Sequence, residues 1–272
     1  MIVDLHNDCL LEIKNNHRLI QYLQNNQKYL STICLPVWTT ELKNPLKVLK
    51  DKHNLIADLK LDYATNFCIE DLGFLCEKDF GFIKTLKPFY CGICWNNSNK
   101  FCGGAYSKGR FSKKGKNLVE VLQQDNIIID IAHMNTYSFN DFVNITQKPI
   151  FCSHTGFCDM VKDCRNLENS QIKTIVESNG LMGLYFVGKY ISNRNSTIDD
   201  VVKNIDYFVN RFGINNLAIG SDFYGTKDLP YGLKKYSGFK KIKQKLLKLG
   251  YKEVNIDQIF ATNFIEYKKR AY

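Results

Sequence analysis

No stretch of these 272 residues approaches the roughly 20 consecutive apolar residues that span a bilayer. Residues 1–10 carry neither the basic start nor the long apolar centre of a secretory leader. No membrane partner is therefore expected, and the cytoplasm is the default compartment. Low-complexity linkers and short repeats are missing too, which argues against a solenoid or a string of flexibly joined modules. Acidic residues are in short supply, 27 against 37 lysines and arginines, so the formal charge is +10. That excess could signal nucleic acid or an anionic membrane surface. In its densest stretch, "KKYSGFKKIKQKLLKLG" (residues 234–250), however, Phe239, Ile242, Leu246 and Leu249 are spaced to share one helical face. No strand with interleaved aromatics and glycines of the RNP type is visible. We expect an outer helix with a solvated lysine face and no nucleic-acid partner. The ten cysteines would suggest a disulfide framework in a short secreted chain. Here Cys34, Cys68, Cys94 and Cys152 sit in apolar, strand-like runs, where a reduced cysteine packs as a small hydrophobe. A structural zinc knuckle is not expected from them.

What is present is alternation. Apolar, β-branched runs occur at "IVDLH", "LSTICLPVW", "NFCIEDL", "FYCGICW", "IIIDIAH", "PIFCSH", "LMGLYFV" and "LAIGSD", separated by helical patterns. The clearest helix is "STIDDVVKNIDYFVNRFG", whose apolar face runs through Ile198, Val201, Val202, Ile205, Phe208, Val209 and Phe212. Ser196 or Thr197 can cap its start and Gly213 can end it. Strands alternating with helices give an α/β fold with a parallel sheet. Eight runs in a chain of this length point to a single-domain (β/α)8 TIM-type barrel over residues 1–272, with an open doubly wound sheet as the alternative.

The polar residues are not scattered. His6 and Asp8 end the first run, Glu70 the third, His133 the fifth, His154 the sixth and Asp222 the eighth. In a barrel the carboxyl ends of the strands form one mouth, so these side chains would converge there. His6 and Asp8, two apart, would share a strand face while Asn7 points away. Each has an ordinary explanation alone: a hydrogen-bonded pair at a strand end, a buried histidine, a turn aspartate before glycine. Of the five histidines, though, only His17 and His53 lie in polar helical segments. Three imidazoles and three carboxylates suit zinc, which takes nitrogen and oxygen ligands and, when catalytic, keeps a position open. A glutamate can bridge two ions, and a water between them becomes hydroxide near neutral pH. That is hydrolytic chemistry.

The segments "DLHNDCL", "CIED", "IIDIAHM", "FCSHTGFCDMVKDCRNL" and "AIGSDFYG" together resemble the membrane (renal) dipeptidase family of zinc metallopeptidases, a branch of the amidohydrolase superfamily. They occur in the family's order between residue 4 and about residue 225, and "TNFIEY" is similar to its final helix. The resemblance implies a (β/α)8 barrel and two Zn2+ per chain. It implies that His6 and Asp8 bind one zinc, that His133 and His154 bind the other, and that Glu70 bridges them. Asp222 would shuttle a proton from the bridging water to the leaving amine. Arg165, in "DCRNL", would hold the substrate's terminal carboxylate.

Two positions depart from the family. Trp95 stands where the mammalian enzymes have a histidine that polarises the substrate carbonyl, so either one zinc would do more of that polarisation or Asn96 or Asn97 would assist. Asp71 follows the bridging glutamate where the family usually has glycine. The implied activity is zinc-dependent hydrolysis of a small dipeptide substrate by a cytosolic enzyme. The alternatives are a related metal-dependent hydrolase of another small amide or lactone and, from a different class, a non-catalytic basic barrel. A homo-oligomer is compatible with the chain.

Overall fold

Each of the eight apolar runs forms a strand in the computed structural model, which describes residues 1–272. The strands are β1 (Ile2–Asp4), β2 (Leu30–Trp38), β3 (Ala64–Glu70), β4 (Tyr90–Gly92), β5 (Ile128–Asp130), β6 (Phe151–Thr155), β7 (Leu181–Leu184) and β8 (Leu217–Ile219). Between and after them run α1 (Cys9–Glu12), α2 (Asn16–Asn26), α3 (Pro45–Ala57), α4 (Phe80–Leu86), α5 (Lys113–Gln124) and α6 (Thr136–Val143). The second half adds α7 (Asn169–Glu177), α8 (Gly188–Ile191), α9 (Ile198–Phe212), α10 (Phe239–Lys248), α11 (Glu253–Asp257) and α12 (Asn263–Ala271). Every strand pairs in parallel with its sequence neighbours, and Asp4 of β1 meets Ile219 of β8. The sheet is therefore a closed barrel and not the open alternative.

Packing explains why these sequences choose this arrangement. One core lies inside the barrel and draws on all eight strands, among them Val3, Cys34, Cys68, Tyr90, Phe151 and Ala218. Phe264, Tyr267 and Ala271 of α12 join it, so the last helix seals the barrel's amino-terminal end. A larger core of 63 buried residues lies between the strands and the helical ring. Strands covered on both faces read as continuous apolar runs, which is what made them visible. On α9, Ile198, Val201, Val202, Ile205 and Phe208 are buried as the spacing requires. Thr197 stands at its N-cap, with its amide donating to Asp200 Oδ2 at 2.9 Å, and Gly213 ends it with φ of 84°.

Some details differ from the sequence reading. Phe239, Ile242 and Leu246 are buried on α10, but Leu249 lies beyond the last turn and is 57% exposed. Cys91 and Cys94 have a C-x-x-C spacing, yet both are free and buried, and Cys94 Sγ lies 3.5 Å from Gly103 O. The larger difference is in strand length. β1, β5 and β8 stop at Asp4, Asp130 and Ile219, so His6, His133 and Asp222 stand on loops just past the strands. No helix is long and apolar enough to cross a membrane.

Candidate metal centre

Two of the polar residues at the barrel mouth stand on strands, Glu70 at the end of β3 and His154 within β6. The others are aimed by the loops. His133 and Asp222 have left-handed backbones, with φ of 69° and 56°, which turn their side chains back over the barrel axis. That conformation is uncommon for residues other than glycine and marks a constrained position. His6 and Asp8 lie past β1, where Asn7 pairs with Phe223 and Asp222 N donates to His6 O at 3.0 Å. Asn7 does point away from them, with its amide donating to Tyr236 Oη at 2.9 Å. Gly225 passes so close to the carboxylates of Asp8 and Asp222 that a Cβ there would collide with both.

The side chains converge on Glu70. Its Oε2 lies 3.8 Å from His6 Nε2, while its Oε1 lies 2.9 Å from His133 Nε2 and 3.8 Å from His154 Nε2. His133 Nε2 and His154 Nε2 are 2.9 Å apart, and His6 Nε2 is 3.4 Å from Asp8 Oδ2. The donor atoms of His6, Glu70 and His154 form one tight triad, and those of His6, Asp8 and Asp222 another. The distances make His133, His154 and Glu70 a third. Asp222 thus stands within the donor cluster beside His6 and Asp8.

Each imidazole is held from behind through Nδ1, leaving Nε2 for the centre. His6 Nδ1 is 2.8 Å from the Tyr90 hydroxyl, which itself donates to Leu5 O. His154 Nδ1 is 2.8 Å from Ser153 Oγ, which donates to Asp130 Oδ2 at 2.5 Å. His133 Nδ1 is 2.8 Å from Asn96 Oδ1. With each of these partners accepting from Nδ1–H, a neutral ring presents its Nε2 lone pair to the centre. Tyr90, Ser153 and Asp130 were absent from the sequence reading. The available signal was Asp130 itself, an acid inside the apolar run "IIIDIAH", since a buried carboxylate must have partners.

The electrostatics call for cations. Burial pushes the Glu70 carboxyl up to about 8, with Asp8, Asp222 and Asp130 adding to the rise against His6. Burial likewise pushes Asp222 up to about 8, with Asp8 reinforcing it. Burial would lower His6, but Asp8, Glu70 and Asp222 outweigh it and raise the ring to about 10. Burial holds His133 and His154 well below the usual histidine range, helped by the neighbouring Arg165 and His6. Buried carboxyl groups crowded together beside the neutral imidazoles of His133 and His154 form a donor set whose charge a divalent ion would balance once the carboxyls ionise. Asp8 Oδ2 adds a direct observation, because it is buried without a hydrogen-bond partner.

The centre opens into a cavity of about 490 Å³. Arg165 is only 6% exposed, lies 3.2 Å from His133 Nε2, and pairs with no carboxylate. A buried guanidinium without an anion is costly, and here it faces the cavity. Trp95 also lines it, 5.0 Å from the Trp38 ring and 5.7 Å from the His133 ring. Asn96 lines it as well, with its carbonyl oxygen on His133, whereas Asn97 is exposed and lines a separate cleft.

Asp71 turns away from the centre. Its φ of 68° explains why a glycine would suit the position. Its carboxylate accepts from Gly73 N at 2.8 Å, Asn99 Nδ2 at 2.9 Å and Thr40 Oγ1 at 2.7 Å. It therefore ties the loop carrying Trp95 and Asn96 to the ends of β2 and β3. Asp71→Gly is expected to relieve the backbone yet lose these bonds, for a net loss of about 1–3 kcal/mol. Thermal melts should show a lower Tm than wild type, and an equal or higher Tm would mean that relief of the backbone matches or outweighs what the bonds contribute.

Comparisons with known proteins agree with the barrel. Residues 39–270 match the family model described as membrane dipeptidase, peptidase family M19. The protein of the pqqA 5′ region of Klebsiella pneumoniae is 25% identical over 205 residues, covering 70% of this chain and 73% of its own. The dipeptidase tcpJ of Claviceps purpurea is 24% identical over 157 residues, 57% of this chain and 37% of its own length. Among solved structures, a metallopeptidase from Rhodobacter sphaeroides, liganded with a phosphinate mimic of the dipeptide L-Ala-D-Ala, superposes with a TM-score of 0.86. It is 16% identical, and the match covers 100% of this chain and 99% of that one. An amidohydrolase from Pseudomonas aeruginosa gives the same TM-score at 18% identity, covering 100% of this chain and 96% of its own.

Proposed function

Because this chain belongs to the membrane dipeptidase family, peptidase family M19, we propose that it hydrolyses the peptide bond of dipeptides with two zinc ions held at the barrel mouth. The observation that carries this reading is the division of Glu70, whose Oε2 faces His6 while its Oε1 faces His133 and His154. In our assignment His6 and Asp8 hold one ion, His133 and His154 the other, and Glu70 both. Nitrogen and oxygen donors of this kind suit zinc. Two such ions, when bound, polarise the scissile carbonyl and acidify a water.

The chain's own residues supply the rest. Asp222 takes a proton from the attacking water and returns it to the amine nitrogen as the C–N bond breaks, leaving two amino acids. Arg165 receives the substrate's terminal carboxylate, which supplies the anion this buried cation lacks. Trp95 and Asn96 close the other side of the cavity; Asn96 steadies His133, and Trp95 offers an apolar wall. We place the enzyme in the cytoplasm, where its ten free cysteines stay reduced.

The test is amine release from a panel of L,L and L,D dipeptides, with zinc-loaded protein beside a chelator-stripped control. Turnover that depends on the metal supports the reading. No turnover from protein that demonstrably holds zinc would favour another small amide or a lactone as substrate. Arg165→Ala is expected to raise KM for dipeptides about 10- to 100-fold, as loss of a charge-assisted hydrogen-bond pair does. Dipeptide amides, which lack the carboxylate, should not suffer. Equal losses on both substrates would remove Arg165 from carboxylate recognition.

A further inference from the structure

The cavity wall is electrically lopsided. Its cationic residues, Arg165, Lys189 and Lys227, come from the segments that follow β6, β7 and β8, three adjacent strands of the closed barrel. The wall that follows β2 and β4 is aromatic, with Trp38 and Trp95. The lining acid outside the metal cluster is Glu12, at the end of α1. A dipeptide whose carboxylate sits on Arg165 therefore places its carboxyl-terminal residue along the cationic arc.

Asp228 fixes this arc in place. Its carbonyl oxygen accepts from Gly188 N and its Oδ2 from Lys189 N, both at 2.7 Å. The backbone of Lys189 is thereby docked beside residue 228, next in sequence to Lys227. One oxygen of the Asp228 carboxylate, Oδ2, accepts from that backbone amide. Lys189 Nζ lies 4.7 Å from the Tyr190 ring centre, and neither lysine forms an ion pair. Two unpaired ammonium groups at the rim, beyond a buried guanidinium, make a site for two anions. One is the α-carboxylate on Arg165, and the second is an anionic side chain on the same residue.

We propose that the enzyme selects dipeptides with an acidic carboxyl-terminal residue, aspartate or glutamate, and that Lys189 and Lys227 are the specificity residues that read its side-chain carboxylate. This rests on the dipeptidase reading above and narrows it. Each exposed ion pair is modest, so the two together should favour the acid by about tenfold in kcat/KM. Because the contact lies at the rim, the preference should shrink as added salt shortens the screening length from about 10 Å toward about 3 Å.

The experiment compares glutamate with its neutral isostere, using zinc-loaded enzyme on Ala-Glu and Ala-Gln, each with an L- and a D-configured second residue. The expected result is an Ala-Glu preference of about tenfold, expressed in KM, that weakens in high salt. In Lys189→Met/Lys227→Met the ratio should fall to near one. In Lys203→Met/Lys248→Met, which removes the same charge from the outer surface, it should stay at the wild-type value. Equal rates on the two substrates in wild type, or an undiminished ratio in the first double variant, would overturn the proposal while leaving the dipeptidase reading intact. Turnover of neither substrate would overturn the proposal, and only with no turnover of any other dipeptide in the panel would it overturn the dipeptidase reading as well.

Discussion

Replacing Asp222 by asparagine is expected to lower kcat about 10³-fold, the loss typical of removing a general acid–base group, and to leave the two ions of the proposed function bound. The substitution is well matched to the question. Asparagine keeps the shape of the side chain and tolerates the left-handed backbone that Asp222 adopts, with its φ of 56°. The backbone bonds that set the loop, Asp222 N to His6 O at 3.0 Å and Gly225 N to Asp222 O at 3.2 Å, are untouched. What is removed is the ability to take up a proton and release it. Amine release read beside metal analysis separates two roles that the geometry brings close together, since Asp222 clusters with His6 and Asp8. Metal retained with turnover lost identifies a proton shuttle. Metal lost together with turnover would make Asp222 a ligand, and near wild-type turnover would remove it from the chemistry.

The barrel was legible because its strands are largely buried on both faces and so appear as eight mainly apolar runs, five of them with an imidazole or carboxylate at the carboxyl end. The cluster was legible for a related reason. An imidazole or carboxylate that ends an apolar run has few places to go except the barrel mouth, and the structure brings His6, Asp8, Glu70, His133, His154 and Asp222 together there. How they get there was not legible. Strand alternation accounts for Glu70 and His154, but β1 ends at Asp4, and His133 and Asp222 are aimed by left-handed residues that no periodicity announces. Contacts between distant segments were equally hidden. Asn96 reaches His133 across 37 positions, and Tyr90 reaches His6 across 84. Arg165 stands on a loop past β6 with nothing local to separate it from a surface arginine. Only the family resemblance drew attention to it, and only the fold shows that it is buried. Asp71 stood out as an acid next to Glu70 because sequence gives adjacency without direction. Its positive φ turns it toward Thr40, Gly73 and Asn99 instead.

Glu70→Gln is expected to have the second large effect, and its signature is a reversal of sign between two states of the protein. In wild type the carboxylate's two oxygens are divided among three imidazoles, which makes Glu70 the residue shared by both ion positions in our assignment. Glutamine retains one carbonyl oxygen but loses the negative charge and turns an NH₂ group toward a donor cluster. Both ions should therefore weaken together, by at least the roughly 10- to 100-fold in affinity that even outer-shell changes cost, and turnover should fall with them. In the chelator-stripped protein the balance differs. There Glu70 is a buried carboxyl crowded by Asp8, Asp222 and Asp130. An uncharged isostere removes that repulsion, so the stripped variant should melt at or above the stripped wild type. With zinc added the order should invert. Ligand held at about 1,000 times its Kd stabilises a folded protein by about 4 kcal/mol, and a variant whose Kd has risen gains correspondingly less. Paired thermal melts and metal stoichiometry test this directly. A variant that still binds two ions would contradict the bridging assignment, and one that loses a single ion would place Glu70 on one metal alone.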